Sequence, residues 1–569
     1  MTSQISRLDE LEMQFKSVVE EMKVLRHDIL NSQINEYEYD KQELSEKVSF
    51  LQPIINLVEQ PSARELYIGQ SAVISKVQAI RKILTNDHDL EIARNPLMKA
   101  KYSEISEQDY NQKPSKRLEE IFLQCYLSFS RHRYHFIEKD RLMDIFNKDQ
   151  TERTDWELFV TNIILANGCR ISELCKLTTQ FSPKYYFDRA LKILGNLQSI
   201  TSMQQIQISM LLALYLNYAY DYLDPYIMNV WELSGLAVRK MIQLGYHKKK
   251  LPTLKNCLQV ELEKRLFWSV YAFDKLLSLS LGRPSTLNDI ELDIPFPLSL
   301  EIVGDDANYI FNLQNQQLAN ELNLNLPVTT ITYLVETCRI RQIESKINIL
   351  VYNKQIQTAE EFDSINQLLE NWVNALPSRK EFNEGLNNEV PFDYMILLYH
   401  RAKLFLLLPK LTNINSLEPG ARQSIILSTL KSAGGICKSF QRIQKDAIFG
   451  YSIFSLHTIF LAGVTLVYCV WSLGNPANIK AHNDIIACSN LLYSFAERTN
   501  EAETYRFLYE NLTETILYNS EPAFENKDTT DTFNAANDIE NLLSDSLIPD
   551  NKFFNFTFNE DFWKRLDFG

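Results

Sequence analysis

The sequence contains few glycines, 15 among 569 residues, well below the ~7% that is usual in proteins. Tight turns, β-hairpins and phosphate-binding loops need backbone positions with positive φ, which glycine adopts most readily. A chain with few such positions is a poor candidate for a β-sheet protein or for a nucleotide-binding loop. Long stretches rich in Leu, Ile, Lys and Glu favour helices instead. The composition therefore predicts a mostly α-helical protein.

Motifs that carry catalysis are also missing. The chain contains no GxGxxG, GxxxxGK[ST], HExxH or GxSxG, the patterns of dinucleotide sites, P-loops, zinc proteases and serine hydrolases. His132 and His135 lie three residues apart, but no acid or cysteine completes a metal-binding set around them. We predict that the protein is not an enzyme and that this chain binds no metal.

Closely spaced cysteines are also missing, and the densest basic stretches, Lys248 to Lys250 and Lys113 to Arg117, are short. None of the eight cysteines has a CxxC partner, and no secretory signal is present, which indicates free thiols in a reducing compartment. The formal net charge is −14, whereas binding to a phosphate backbone needs clustered Lys and Arg. The charge therefore argues against direct nucleic-acid binding by this chain.

The first 30 residues contain a heptad pattern of apolar side chains. A 3.5-residue period places these side chains on one stripe, as a coiled coil requires. We predict a coiled-coil helix over residues 1–30 and a homodimer, the alternative being an amphipathic helix that docks on its own core. The stripe consists of Leu8, Leu11, Phe15, Val18, Met22, Leu25 and Ile29.

One apolar run, Ser452 to Gly474, is about long enough to span a bilayer, which takes ~20 residues. It includes His457 and several hydroxyl groups, and no cluster of Lys or Arg flanks it. We predict a buried core helix and no contact with a membrane.

The end of the chain, residues 521–569, differs from the rest in composition. It has eleven Asp and Glu against four Lys and Arg, a net −7 out of the total −14. Acidic residues that alternate with aromatic ones are typical of disordered activation segments, which fold on binding a coactivator. We predict an acidic activation tail that recruits coactivators or mediator; the alternative is a tail that packs on the body. The activation residues are Phe554, Phe556, Phe558, Phe562, Trp563 and Phe568.

Two stretches in the middle of the chain have a recognisable pattern. Glu261 to Pro297 reads ELEKRLFWSVYAFDKLLSLSLGRPSTLNDIELDIPFP, and Gly235 to His247 contains GLAVR followed by LG and a histidine. Together they resemble the regulatory, or middle homology, region of fungal transcription factors with a zinc binuclear cluster. Further helices match in order between about 115 and 520, including Tyr126 to Ile137 and Leu397 to Leu411.

The resemblance implies an all-α, multi-helix domain of stacked antiparallel helix pairs. The predicted order is a coiled coil (1–30), a linker (31–114), the helical regulatory domain (115–520) and the acidic tail (521–569). Within the domain, the Asn- and Gln-rich stretch from Gly304 to Thr330 reads as a loop.

The signature residues are expected mainly to hold the fold. Gly282 allows a helix to end in the left-handed conformation, and Pro284 prevents it from continuing. Arg265 and Asp274 are nine residues apart, too far for an intrahelical pair, so each is expected to pair with another helix or to cap a turn. As an alternative role, Trp268, Tyr271 and Arg283 would line an inducer pocket. The signature residues are Gly235, Arg239, Arg265, Trp268, Asp274, Gly282, Arg283 and Pro284.

The resemblance implies a nuclear regulator of transcription that senses a signal or small ligand. The family's DNA-binding module needs six closely spaced cysteines around two zinc ions, and residues 1–124 contain no cysteine. DNA contact is therefore expected through a zinc cluster that this chain lacks. We name a dinucleotide such as NADPH as a candidate effector, although no residue forms a dinucleotide motif. The alternative function is a non-catalytic, DNA-associated scaffold of the same fold, as in a kinetochore subunit.

Overall fold

The structure is a computed structural model, and it describes residues 114–517 apart from short gaps. The gaps fall at 178–180, 198–199, 220–226, 301–306, 320–325, 354–357, 388–389, 413–416, 447–450, 474–478 and 500. The predicted coiled coil (1–30), the predicted linker (31–114) except for Pro114, and the predicted acidic tail (521–569) lie outside the described residues.

All regular elements in the described part are helices, which confirms the predicted all-α class. The first half contains seven α-helices, with a π-helical turn, Tyr126–Arg131, directly after α1. In chain order these helices are α1 (Lys116–Cys125), α2 (Lys139–Asn147), α3 (Asp155–Leu174), α4 (Lys184–Leu194), α5 (Ser202–Tyr218), α6 (Ile227–Gln243) and α7 (Cys257–Leu281).

The second half begins with a helix that the sequence did not predict. Ala307–Leu318 forms α8 inside the stretch that was expected to be a loop. Its Ile310, Leu313 and Gln314 are buried, so tertiary packing outweighs the weak helix preference of its asparagines. The remaining helices are α9 (Thr330–Ile347), α10 (Ala359–Asn374), α11 (Arg379–Gly385), α12 (Asp393–Thr412), α13 (Pro419–Asp446), α14 (Ile453–Ser472), α15 (Ile479–Ala496) and α16 (Glu501–Leu517).

Several helices begin where the sequence supplies a hydroxyl cap followed by an acid or amide. Thr154 accepts from the backbone N–H of Glu157, whose carboxylate accepts from the N–H of Thr154. The same reciprocal pair starts α5 at Thr201 and Gln204, and a third starts α11. Because each pair satisfies two backbone donors that a helix start leaves unbonded, the caps fix these helix starts.

The apolar run near the C-terminal end forms α14, and most of its residues are buried. By length and composition this helix passes the test for a membrane span, with a mean hydropathy of 2.0, but 89% of the tested window is buried inside the protein. The prediction of a core helix therefore agrees with the structure.

Helices that follow one another in the chain pack together, including α3 with α4, α5 with α6, and each helix from α12 to α16 with the next. Helix α7 packs on α6 and α9, and α9 also contacts α12. The path α7–α9–α12 thus connects the two halves of the domain. That the pairs run antiparallel stays a prediction.

Three helix contacts depend on glycine. A Cβ atom on Gly168 of α3 would lie 1.8 Å from the carbonyl oxygen of Phe122 in α1. On Gly463 of α14 it would lie 2.4 Å from Cys488 Sγ in α15. On Gly435 of α13 it would lie 2.4 Å from the His400 ring in α12. At these positions the backbone of one helix directly contacts its neighbour.

Replacing Gly168 with Ala is expected to destabilise the domain by about 3 kcal/mol, because the new methyl group meets backbone that cannot move aside. Gly235→Ala is the matched control. Apart from its adjacent residues and the backbone of its own helix, the nearest atom to the new Cβ would be Arg239 Nη1, at 3.8 Å. Higher helix propensity should leave this variant unchanged or more stable by about 0.5–1 kcal/mol. Urea unfolding followed by circular dichroism measures both, and equal effects would contradict the close-packing account.

A second prediction concerns pH. Burial lowers the pKa of His457 to about 4, whereas an exposed histidine titrates near ~6.5. As the pH falls, the unfolded chain binds its proton first, so stability should decline between about pH 6.5 and 4. His457→Gln keeps a polar group near the Tyr505 hydroxyl, which lies 3.0 Å from His457 Nε2, but does not titrate. Between pH 7 and 5 the free energy of unfolding of this variant should fall by about 1–2 kcal/mol less than that of the parent chain. A variant with the same pH profile as the parent would contradict this.

Candidate functional site

The candidate site is the signature helix α7 and the segment that follows it, residues 282–300, which we call the return segment. The turn between them begins at Gly282, with φ 64° and ψ 27° in the left-handed region. The backbone N–H groups of Gly282 and Arg283 both donate to the carbonyl of Ser278. This is the hydrogen-bond pattern by which glycine ends a helix, and it confirms the predicted helix end.

Asp274 holds the start of the return segment. Its carboxylate accepts hydrogen bonds from the hydroxyls of Ser285 and Thr286, each at 3.1 Å. Burial raises its pKa, and the two hydroxyls oppose that shift. Asp274 therefore caps the turn, one of the two roles expected for it.

The middle of the return segment is held by Lys275 and Tyr271. The Lys275 ammonium donates to the carbonyl of Leu287 at 3.0 Å and forms an ion pair with Asp289 at 3.1 Å. The Tyr271 hydroxyl donates to the same carboxylate at 2.7 Å, which contributes to raising the tyrosine pKa, after burial. Lys275 also donates to Ser345 of α9 at 3.1 Å, so this contact ties the segment to a second helix.

Trp268 is enclosed between α7 and the return segment, with 2% of its surface exposed. Its indole N–H donates to the carbonyl of Pro295 at 3.0 Å. Its ring centroid lies 4.3 Å from that of Phe296 and 5.0 Å from that of Tyr271. Trp268 thus combines a large buried apolar surface with one specific hydrogen bond.

The end of the return segment is held by charged side chains from the first half of α7. The Glu261 carboxylate accepts from the N–H of Leu298 at 2.7 Å. Arg265 donates to the carbonyl of Leu300 at 2.5 Å and pairs with Glu138 at 3.0 Å. Arg265 therefore pairs outside its own helix, as predicted, although it also lies 3.9 Å from Glu261.

These contacts occur in a regular order. Asp274 and Lys275, near the end of α7, contact residues 285–289, Trp268 contacts Pro295, and Arg265 and Glu261, nearer its start, contact residues 298–300. The segment therefore runs back along the helix, and one polar or aromatic side chain holds it at nearly every turn. Within the described residues, no group of three or more His, Cys, Asp or Glu could hold a metal ion. The arrangement fixes a segment of chain.

The structure brings together only some of the residues predicted for a pocket. Trp268 and Tyr271 are in ring contact, whereas the Arg283 guanidinium lies over the ring of Trp231 in α6, 4.7 Å from its centroid. Arg283 therefore attaches the end of α7 to α6. Among the other signature residues, Gly235 is buried in α6, while Arg239 and Pro284 are exposed. A ligand role for Trp268, Tyr271 and Arg283 stays a prediction.

His135 is also part of the surroundings of α7. Its backbone N–H donates to the hydroxyl of Ser269 at 2.8 Å. Burial lowers its pKa well below the ordinary value, with further contributions from Arg131 and Arg265. The ring is therefore neutral at physiological pH, in agreement with a structural role.

Sequence reasoning missed the acids that pair with the signature. Glu138 and Asp289 lie far from Arg265 and Lys275 in the chain, so no spacing rule could connect them. A third acid, Glu344 of α9, accepts from Arg401 of α12 at 2.7 Å and from Arg341 at 2.6 Å. The sequence did offer one signal for such pairs, a charged residue within an otherwise apolar helix face. Buried charges are normally paired, so each of these residues indicates a partner of opposite charge.

Residues 123–379 match the family profile described as the fungal specific transcription factor domain. This part of the chain belongs to that family. The matched range contains α7, the return segment, and both Glu138 and Glu344, so the whole candidate site lies inside the family domain.

Curated relatives agree with this assignment. An uncharacterized transcriptional regulatory protein of Saccharomyces cerevisiae is 23% identical over 58% of the chain and 25% of its own length. Pyrimidine pathway regulatory protein 1 of the same yeast is 24% identical over 60% and 36%. Protein STB5, also from that yeast, is 22% identical over 70% and 54%. The matches thus span between a quarter and about half of each relative.

Replacing Trp268 with Ala is expected to destabilise the domain by about 3–5 kcal/mol, because a large buried ring is lost from between α7 and the return segment. Trp268→Phe should cost about 1–3 kcal/mol, since it leaves the carbonyl of Pro295 without its buried donor. Urea unfolding measures both variants.

The control is Trp471→Ala in α14, because 48% of that side chain is exposed. Its effect should stay within about 0.5 kcal/mol. A stable Trp268→Ala variant would contradict the structural role; if it also lost its response to a small molecule, Trp268 would line a pocket instead.

Proposed function

We propose that this chain is the regulatory and activating part of a fungal, sequence-specific transcription factor, and that it acts by binding rather than by catalysis. The observation that carries the proposal is the family domain over residues 123–379, with its signature helix intact. The names of the relatives support the proposal, since they describe transcriptional or pathway regulators.

The proposed protein is nuclear and dimeric. Its dimer would form through the heptad of residues 1–30, and its contact with coactivators through the acidic tail. DNA would be bound by a zinc-cluster module, which needs closely spaced cysteines; residues 1–124 contain none. The body between these parts would transmit a signal from an effector to the tail.

The relatives do not point to one pathway, because their names describe regulators of different pathways. They include regulators of the pyrimidine pathway, of purine utilization, of pleiotropic drug resistance and of ABC transporters. A small effector, with a dinucleotide such as NADPH as one candidate, remains part of the proposal. Trp268, Tyr271 and Arg283 would contact it if the return segment opened.

Transfer of the tail to a foreign DNA-binding domain tests the activating role. A fusion that carries residues 521–569 should raise expression of a reporter gene several-fold over the DNA-binding domain alone. The reason is that aromatic side chains kept in solution by acids can enter a coactivator groove. The matched control replaces Phe556, Phe562 and Trp563 with Ser and keeps every acid, and it should be inactive.

Fusions of the full chain and of residues 1–520 complete the experiment. The proposal expects activation by the full chain and its loss without the tail. If neither the tail nor the full chain activates, while the full chain still joins a DNA-bound complex, the protein is a scaffold and the activator proposal is wrong.

A further inference from the structure

A second cluster of polar side chains lies apart from the contacts of the return segment. We call it the Arg–Tyr cluster, and it consists of Arg133, Tyr134, Tyr218, Tyr333 and Tyr394. The Arg133 guanidinium carbon lies 3.8 Å from the ring centroid of Phe129 and 4.3 Å from that of Tyr394. Tyr218 packs against Phe129 and Tyr333 against Tyr394, while Tyr134 follows Arg133 in the chain.

The cluster forms where the two halves of the domain meet. Arg133 follows the π-helical turn Tyr126–Arg131, an irregularity frequent at functional sites. Tyr218 ends α5, Tyr333 belongs to α9, and Tyr394 belongs to α12. Ring contacts join them. The ring centroid of Phe129 lies 5.6 Å from that of Tyr218, and the ring centroid of Tyr333 lies 6.4 Å from that of Tyr394. Elements from distant parts of the chain therefore converge on one guanidinium.

The charge of Arg133 is not balanced by a carboxylate within the described part of the chain. Its one side-chain hydrogen bond, of 2.6 Å, goes to the carbonyl of Phe129. A guanidinium has five N–H donors, more than this contact uses. Burying a charge without an ionic partner is costly, and Arg133 retains some accessible surface despite its aromatic surroundings.

The phenol groups do not supply the missing charge. Burial raises the pKa of Tyr134 and of Tyr394 to about 12, and it also raises the pKa of Tyr218. These hydroxyls therefore stay protonated and can donate hydrogen bonds. The cluster itself contains no carboxylate, so its own side chains leave the positive charge of Arg133 unbalanced.

We propose that the Arg–Tyr cluster binds the carboxylate group of a small organic acid. Arg133 would hold the two carboxylate oxygens with its paired N–H groups, and neighbouring tyrosine hydroxyls would donate to the same oxygens. A carboxylate carries one negative charge, which matches one guanidinium among neutral phenols, whereas a phosphate monoester carries about two. The aromatic rings favour a ligand with a planar or apolar body.

This site differs from the pocket suggested by the signature, and its test does not depend on a role in transcription. The alternative is a structural one: Arg133 lies between two rings only to hold the halves together, as cation–π contacts can. In that case the cluster would bind no anion.

The test measures the thermal unfolding midpoint of the full chain in rising concentrations of benzoate, with ionic strength held constant by chloride. Benzamide is the neutral control, since it has the same ring and nearly the same shape. The midpoint should rise with benzoate and stay constant with benzamide. A response to inorganic phosphate as strong as that to benzoate would overturn the assignment to a carboxylate.

Variants connect the response to the cluster. Arg133→Met should weaken benzoate binding by about tenfold or more, as expected for the loss of a charge-assisted pair. Tyr394→Phe keeps the ring against Arg133 but removes a hydroxyl, so it should stay folded and bind benzoate several-fold more weakly. Arg189→Met is the matched control, because it removes another arginine that lies over a tyrosine ring, that of Tyr185, and it should respond like the parent chain.

Three results would overturn the proposal: no response to benzoate, equal responses to benzoate and benzamide, or an unchanged response in the Arg133 variant. Loss of the response in Arg189→Met alone would place the anion at α4 instead. If Arg133→Met does not fold, Arg133→Lys replaces it, since it keeps the charge but loses the paired donors; it should bind benzoate more weakly than the parent chain.

Discussion

The fold depends on the attachment of the return segment to α7. A helix with buried charges on one side is unstable unless each charge has a partner, and the return segment supplies partners to Glu261, Arg265 and Asp274. Trp268 closes the apolar space between the two. Helix α7 is therefore complete only when the chain has turned back over it, which makes the turn at Gly282 a requirement for the whole domain.

From this centre the structure extends in two directions. Toward the N-terminal half, Arg265 pairs with Glu138, just before α2. Toward the C-terminal half, Lys275 contacts α9, whose Glu344 pairs with Arg401 in α12. The Arg–Tyr cluster joins the same regions through aromatic contacts. A change at any of these contacts would reach both halves, which is the arrangement that a regulatory domain needs to combine two inputs.

Local features were predictable from the sequence, and distant ones were not. The end of α7 followed from Gly282 and Pro284, and the burial of α14 followed from its apolar length. Helix α8 was missed because its three asparagines are weak helix formers, and its stability comes from packing of residues such as Ile310 and Leu313. The Arg–Tyr cluster was missed because Arg133 and Tyr394 are far apart in the chain. Only the packing of the helices brings these two residues together, and no sequence pattern indicates that packing.

The glycines at helix contacts have a consequence for mechanics. At Gly435 of α13 and Gly463 of α14 the helix backbone lies directly against a side chain of the neighbouring helix, His400 or Cys488, so only one layer of side chains separates the two backbones. Interdigitated packing at such short range resists sliding. Helix α12 with α13, and α14 with α15, should therefore shift together as pairs rather than slide past each other.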